Sequence, residues 1–261
     1  VAGGGLTPLD WDTPWFAPWR MPGEAVAADV LAGVPLHDAL NRAQPPVRFV
    51  QQAELPAGMP YERFVSETGC CPVRPGLHDF FNGLCWLRFP HAKRVLNRLQ
   101  AEAIARDGIG PRRGALRDAI TLFDENGALL RAPPPLWTAL RARAWRHLFV
   151  ELRPLWREAR LLVFGHALLE KLAAPRKDLT AHVWCEPCDA GDGAALDDWL
   201  AARLVPQQLA AKPFTPLPVL GIPGWSAGNE NFSFYDDSLV FRPPRAPQAT
   251  TTTTLPGSRR S

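Results

Sequence analysis

GHALLEKLAAPRKDLTAHVW, residues 165–184, decides what kind of fold this chain can have. Its first half reads as an apolar helix, it breaks at Pro175, and it returns as a strand-like run in which Thr180, His182 and Trp184 share one side. A helix followed at once by a strand points to an α+β domain. The same stretch carries the strongest chemical signal. His166 and Glu170 lie four residues apart on one helical face, among Leu162, Phe164, Leu168 and Leu172. An ionisable pair in such surroundings costs several kcal/mol unless it is paired or bound to metal. His182 adds a third polar group, and with Lys171 and Lys177 it could instead form an anion pocket.

Working outward, residues 77–87 read as a helix that stops near Pro90 and resumes over 91–104. Its start repeats the polar placement, with His78 and Asn82 on one face and Asp79 suited to the exposed N–H groups of the first turn. The natural expectation is that two helices meet through the His78/Asn82 and His166/Glu170 faces. Either these residues close a hydrogen-bond network that serves folding alone, or they are ligands and acid/base groups. In the second case His78, His166, Glu170 and His182 hold a divalent metal, while Asp79 and Asn82 orient them.

Other segments are read more coarsely. Residues 47–52 and 61–67 alternate apolar and polar positions across a Pro/Gly loop, predicting a short antiparallel sheet element. In ALRDAITLFDEN, residues 115–126, the centre 119–123 reads as a strand. Asp124 and Glu125 would then point to opposite faces and not act as a couple. Helices are expected over 133–156, 159–174 and 194–209, a helix pair over 25–43, and mostly irregular chain from Pro213. The chain is thus mainly helical α+β, with long Pro-rich irregular segments. A Trp/Pro-rich N-terminal arm spans 1–24, a single globular domain spans 25–245, and a disordered tail with five consecutive threonines spans 246–261. LHDALN at 36–41 echoes LHDFFN at 77–82, but the flanking residues do not repeat.

Composition bounds the function classes. At 261 residues and 46% hydrophobic content the chain can fill a core, and a net charge of +3 leaves no surplus to hold a polyanion. Nucleic acid is therefore not an expected partner, and a protein partner stays open. No apolar run reaches the length of a membrane span, and no basic-then-apolar leader follows Val1, so a cytoplasmic location is the expectation. The 5 cysteines are an odd number in a chain that needs no staples, which favours free thiols, Cys185 and Cys188 of the CEPC pair included. Neither a phosphate-binding P-loop, nor a dinucleotide fingerprint, nor a serine nucleophile elbow is present.

Taken together, LHDFFNGLCWLRFPHAK, RDAITLFDENG, LVFGHALLEK, LTAHVW and FYDDSLVFRP resemble the bacterial family called domain of unknown function 3025, from roughly Trp11 to Arg245. The resemblance implies no activity, substrate or catalytic residue. The chain departs from the family pattern in having Val73-Arg74 where Thr-Arg precedes the His-Asp helix, so a catalytic hydroxyl there would be missing. Three function classes remain to be separated: a hydrolase with a His/Glu or divalent-metal centre, a non-catalytic scaffold, and a metal-dependent nuclease. The nuclease rests on Asn82 and His91 beside Cys85, which are similar to half of a His-Asn-His finger. It requires a basic groove built from Arg74, Arg88, Lys93 and Arg94.

Overall fold

The computed structural model describes residues 6–108, 114–184 and 193–243, and over them the chain is mainly helical α+β. Helices α1 (Arg20–Leu31) and α2 (Leu36–Arg42) flank the expected break at Gly33. Strand β1 (Arg48–Gln51), helix α3 (Tyr61–Thr68) and strand β2 (Cys70–Val73) lead into α4 (Leu77–Arg88) and α5 (Pro90–Asp107). Pro90, which lacks an N–H and is preset for a first turn, opens α5 one residue after α4 is capped. The next N–H groups, of His91 and Ala92, donate to the buried Asp197 carboxylate at 2.8 Å each. Helix α6 (Ala115–Asn126) runs directly into strand β3 (Gly127–Arg131), and α7 (Pro134–Arg141) follows. Strand β4 (Arg160–Val163), helix α8 (His166–Leu172), strand β5 (Thr180–Trp184), helices α9 (Ala194–Arg203) and α10 (Pro206–Ala210), and strand β6 (Phe214–Pro218) complete the order.

Strands β1 and β2 pair in parallel, with Phe49 opposite Cys71. The larger sheet has the order β4-β3-β5-β6, in which β3 runs antiparallel to β4 and parallel to β5, and β5 runs antiparallel to β6. The core beneath it is aromatic. Phe123 stacks on Phe164 and Phe214 with centroids 4.9 and 5.3 Å apart, tying α6 to the corner after β4 and to β6. From the N-terminal segment, Trp15 and Trp19 are buried, and the Trp19 indole N–H donates to the Val163 carbonyl at 3.1 Å. Helix α1 already begins at Arg20, inside the segment expected to be an extended arm.

Several local expectations are corrected. Antiparallel pairing exists, but not between 47–52 and 61–67, because Tyr61–Thr68 is a helix. Tyr61, Phe64 and Val65 recur at helical spacing, Pro60 opens the segment, and Gly69 closes it at φ 69°. Residues 119–123 are the middle of α6, where Leu116, Ala119, Ile120 and Phe123 follow the i, i+3, i+4, i+7 pattern. The run 159–174 divides into β4 and α8, because Leu161 and Leu162 find ladder partners in Leu130 and Leu129. The helix expected over 133–156 ends at Arg141, and Arg143 turns left-handed at φ 51° before a π turn at His147–Glu151 and a 3-10 turn at Arg153–Arg157. Pro206 splits the helix expected over 194–209 by forcing Val205 into an extended conformation.

Candidate functional site

Three helices build the site, and the pairing of β3 with β4 brings two of them together. The N–H groups of Phe164 and Gly165 both donate to the Gly127 carbonyl, at 2.9 and 2.8 Å. The start of α8 is thereby pinned against the end of α6. A Cβ at position 165 would lie 2.5 Å from the Glu125 carbonyl oxygen and the Asn126 nitrogen, so only glycine permits this approach. His166, the first residue of α8, therefore faces α6. Its Nδ1 is 3.8 Å from Asp124 Oδ2 and its Nε2 is 3.7 Å from Glu125 Oε1.

Helix α4 packs across α8 and supplies the third group. The His78 ring meets His166 edge to face with centroids 4.6 Å apart, and its Nδ1–H donates to Glu170 Oε2 at 3.1 Å. The two i, i+4 faces do meet, through His78. Asn82 belongs to a neighbouring chain of bonds, donating to the Tyr61 hydroxyl at 3.2 Å, which in turn contacts Cys71 Sγ at 2.9 Å. Asp79 accepts from the Arg74 backbone N–H at 2.6 Å and takes two bonds from its guanidinium at 3.1 Å, fixing the loop that enters α4.

Charge is distributed unevenly over this corner. Lys93 of α5 is buried and bonds Asp124 at 2.5 Å. Burial opposes both charges, yet each outweighs it for the other, so Asp124 is held below the usual carboxylate range and Lys93 above its usual value. With Asp124 matched by Lys93 and Asp79 by Arg74, the carboxylates of Glu125 and Glu170 remain beside two imidazoles. Burial pushes the Glu125 carboxyl up. Burial also lowers His166 to about 4, against the pull of Asp124, which keeps its ring neutral and able to ligate.

His78, Glu125 and His166 each offer one ligand atom, and these atoms lie within 4.8 Å of one another. Two imidazoles and a carboxylate suit zinc or another divalent ion. Glu170 bonds His78 Nδ1, which leaves that ring's Nε2 to ligate, and Asp124 lies 3.8 Å from His166 Nδ1. The cluster forms one end of a cavity of about 420 Å³ that Tyr61, Asn82, Lys93, Gln100 and Arg117 also line. Buried polar atoms are normally paired. Asn82, Gln100, Arg117 and His166 all line the cavity, and among the described residues Asn82 Oδ1, Gln100 Oε1, Arg117 Nε and His166 Nδ1 have no hydrogen-bond partner.

Of the residues singled out from sequence, His78, Asp79, Asn82 and His166 line this cavity, and Glu170, which is not among the lining residues, bonds His78. His182 is not brought there. It sits on β5 opposite Gly127 and Pro216, and burial, with Lys212, lowers its pKa. Of the expected set His78, His166, Glu170 and His182, the close cluster holds His78 and His166, with Glu125 as its third member. Lys93, Asp124 and Glu125, which the sequence reading does not count among the His/Glu site candidates, also line the cavity. A helical reading of 115–126 would have aligned Arg117, Thr121, Asp124 and Glu125 as one polar stripe. Val73, where the family pattern has threonine, is buried in β2 and is not among the residues lining the cavity. Cys70, Cys71 and Cys85 are free, while Cys185, Cys188 and the tail 246–261 lie outside the described residues.

His91 and the basic residues required of a nuclease finger are each engaged within the protein. His91 bonds Asp198 at 2.5 Å, Lys93 is buried on Asp124, Arg94 donates to the Pro46 carbonyl, Arg74 is held by Asp79, and Arg88 lies over Trp19. Among the described residues no helix is long and apolar enough to cross a membrane.

The fold and site define a mainly helical α+β protein with a polar His/Glu corner on one cavity. The sequence model of the family described as "Protein of unknown function (DUF3025)" matches residues 47–245, and the chain belongs to that family. No curated protein and no solved structure matches it.

Proposed function

We propose that the chain is a divalent-metal-dependent hydrolase with His78, Glu125 and His166 as its metal ligands. Three protein ligands leave a coordination position for water, whose pKa a bound divalent ion lowers toward neutrality. Glu170 holds the His78 ring through Nδ1 and leaves Nε2 for an ion, while Asp124 lies 3.8 Å from His166 Nδ1 without a hydrogen bond to it. The observation that carries the reading is the convergence of these three groups on the wall of a cavity. A purely structural network would close on itself, whereas four buried polar atoms here have no hydrogen-bond partner among the described residues.

Elemental analysis of purified protein, beside His166→Ala and Glu125→Ala variants, tests the proposal. About one divalent ion per chain, lost in both variants while the fold persists, is the expected result. Unchanged metal content accompanied by lower stability would assign the cluster to folding instead. Hydrolysis of a panel of ester, amide and phosphoester substrates, abolished by a chelator and restored by the ion, then establishes the reaction class.

A further inference from the structure

The cavity continues from the His/Glu corner along the groove between α5 and α6, and its far end has a different character. Three cationic side chains line the cavity as a whole. Arg74 is engaged by Asp79 and Lys93 by Asp124, but Arg117 has no carboxylate at ion-pair distance among the described residues. Its side chain is buried, with the residue 7% exposed. One guanidinium nitrogen, Nη1, donates to the Gly108 carbonyl at 3.2 Å, and Nε has no partner among the described residues. The nearby acidic group that senses its charge, Asp107, is already taken by both arms of Arg106 at 2.8 Å. A buried guanidinium without a counter-ion is costly, and its planar fork matches a carboxylate or a phosphate.

Between Arg117 and the corner, the wall asks for the opposite kind of group. Gln100 Nε2 faces Glu62 Oε1 at 3.5 Å and Thr121 Oγ1 at 3.4 Å, and Gln100 Oε1 is buried with no donor among the described residues. Asn82 likewise gives its Nδ2 to Tyr61 and leaves Oδ1 without one. Arg117 and Glu125 lie on one stripe of α6, eight residues and therefore about 12 Å apart along the helix axis.

We propose that this end of the cavity is an oxyanion subsite, in which Arg117 takes the terminal carboxylate or phosphate of an elongated polar substrate. Gln100 and Asn82 accept N–H or O–H groups from the middle of that substrate. The bond to be cleaved then lies at His78, Glu125 and His166, which is the part that rests on the hydrolase reading.

The full chain, labelled with ¹⁵N in its arginine side chains, is titrated with glutarate, inorganic phosphate and neutral glutaramide. One arginine Nε–H resonance shifts saturably with an anion and not with glutaramide, and the tighter anion identifies the oxyanion. Arg117→Lys weakens that binding by at least about tenfold, since it removes the fork and keeps the charge. If neither anion moves an arginine resonance, or Arg117→Lys binds as tightly as the native chain, the subsite is overturned. Should that variant fail to fold, the native titration alone decides. Anion binding retained in a protein that takes up no metal would overturn the hydrolase reading and leave the subsite standing.

Discussion

At the scale of single residues, the site depends on side chains whose neighbours set their state. Glu170 touches His78 and, in the proposed centre, no metal, so its role is to orient. Glu170→Gln is expected to lower divalent-ion affinity by about ten- to a hundredfold with little change in stability, read by competition with a chelating dye. Equal affinity would remove Glu170 from the account. The Lys93–Asp124 pair is buried and charged. Lys93→Met leaves an unmatched carboxylate and is expected to cost about 3–5 kcal/mol in urea unfolding, with part of the loss recovered in Lys93→Met/Asp124→Leu. Burial raises the Cys71 and Cys85 thiols to about 12 from an ordinary value of 9. As pH rises past 9 the unfolded chain releases these protons and the folded chain keeps them, so stability is expected to fall from pH 9 toward 12. Cys85→Val should flatten that slope in denaturant titrations, and an unchanged slope would contradict it.

At the scale of elements, Gly165 joins the fold to the site. Its missing side chain lets α8 start against the end of α6. Gly165→Ala is expected to destabilise the protein by about 1–3 kcal/mol and to weaken metal binding together with it, because His166 moves away from Glu125. What could be read from sequence follows the same division. The meeting of α4 and α8 was legible because two polar i, i+4 pairs in apolar surroundings each need a partner. Asp124 and Glu125 were not, because the apolar run AITLF obscured the helical stripe that carries them. Nor could 159–174 be divided by its pattern alone. A short apolar run becomes strand or helix according to the ladder offered to it, and β3 offers one to Leu161 and Leu162.

At the scale of the molecule, the mainly helical α+β class and the family were legible, since both rest on composition and ordered motifs. The sheet orders were not. Strand β3 pairs with β4 and with β5, whose residues lie tens of positions further along the chain, and nothing local to Gly127–Arg131 names those partners. Those non-local pairings place the end of α6 beside the start of α8, and α4 then closes the corner. The central claim is that this corner holds a divalent ion. The most direct measurement is a crystal structure of the protein grown with zinc, with data collected at the zinc absorption edge. The account predicts one anomalous peak about 2.0–2.2 Å from a nitrogen of His78, a nitrogen of His166 and a carboxylate oxygen of Glu125. A corner without a peak, with His78 still bonded to Glu170 and zinc bound only elsewhere, would contradict it.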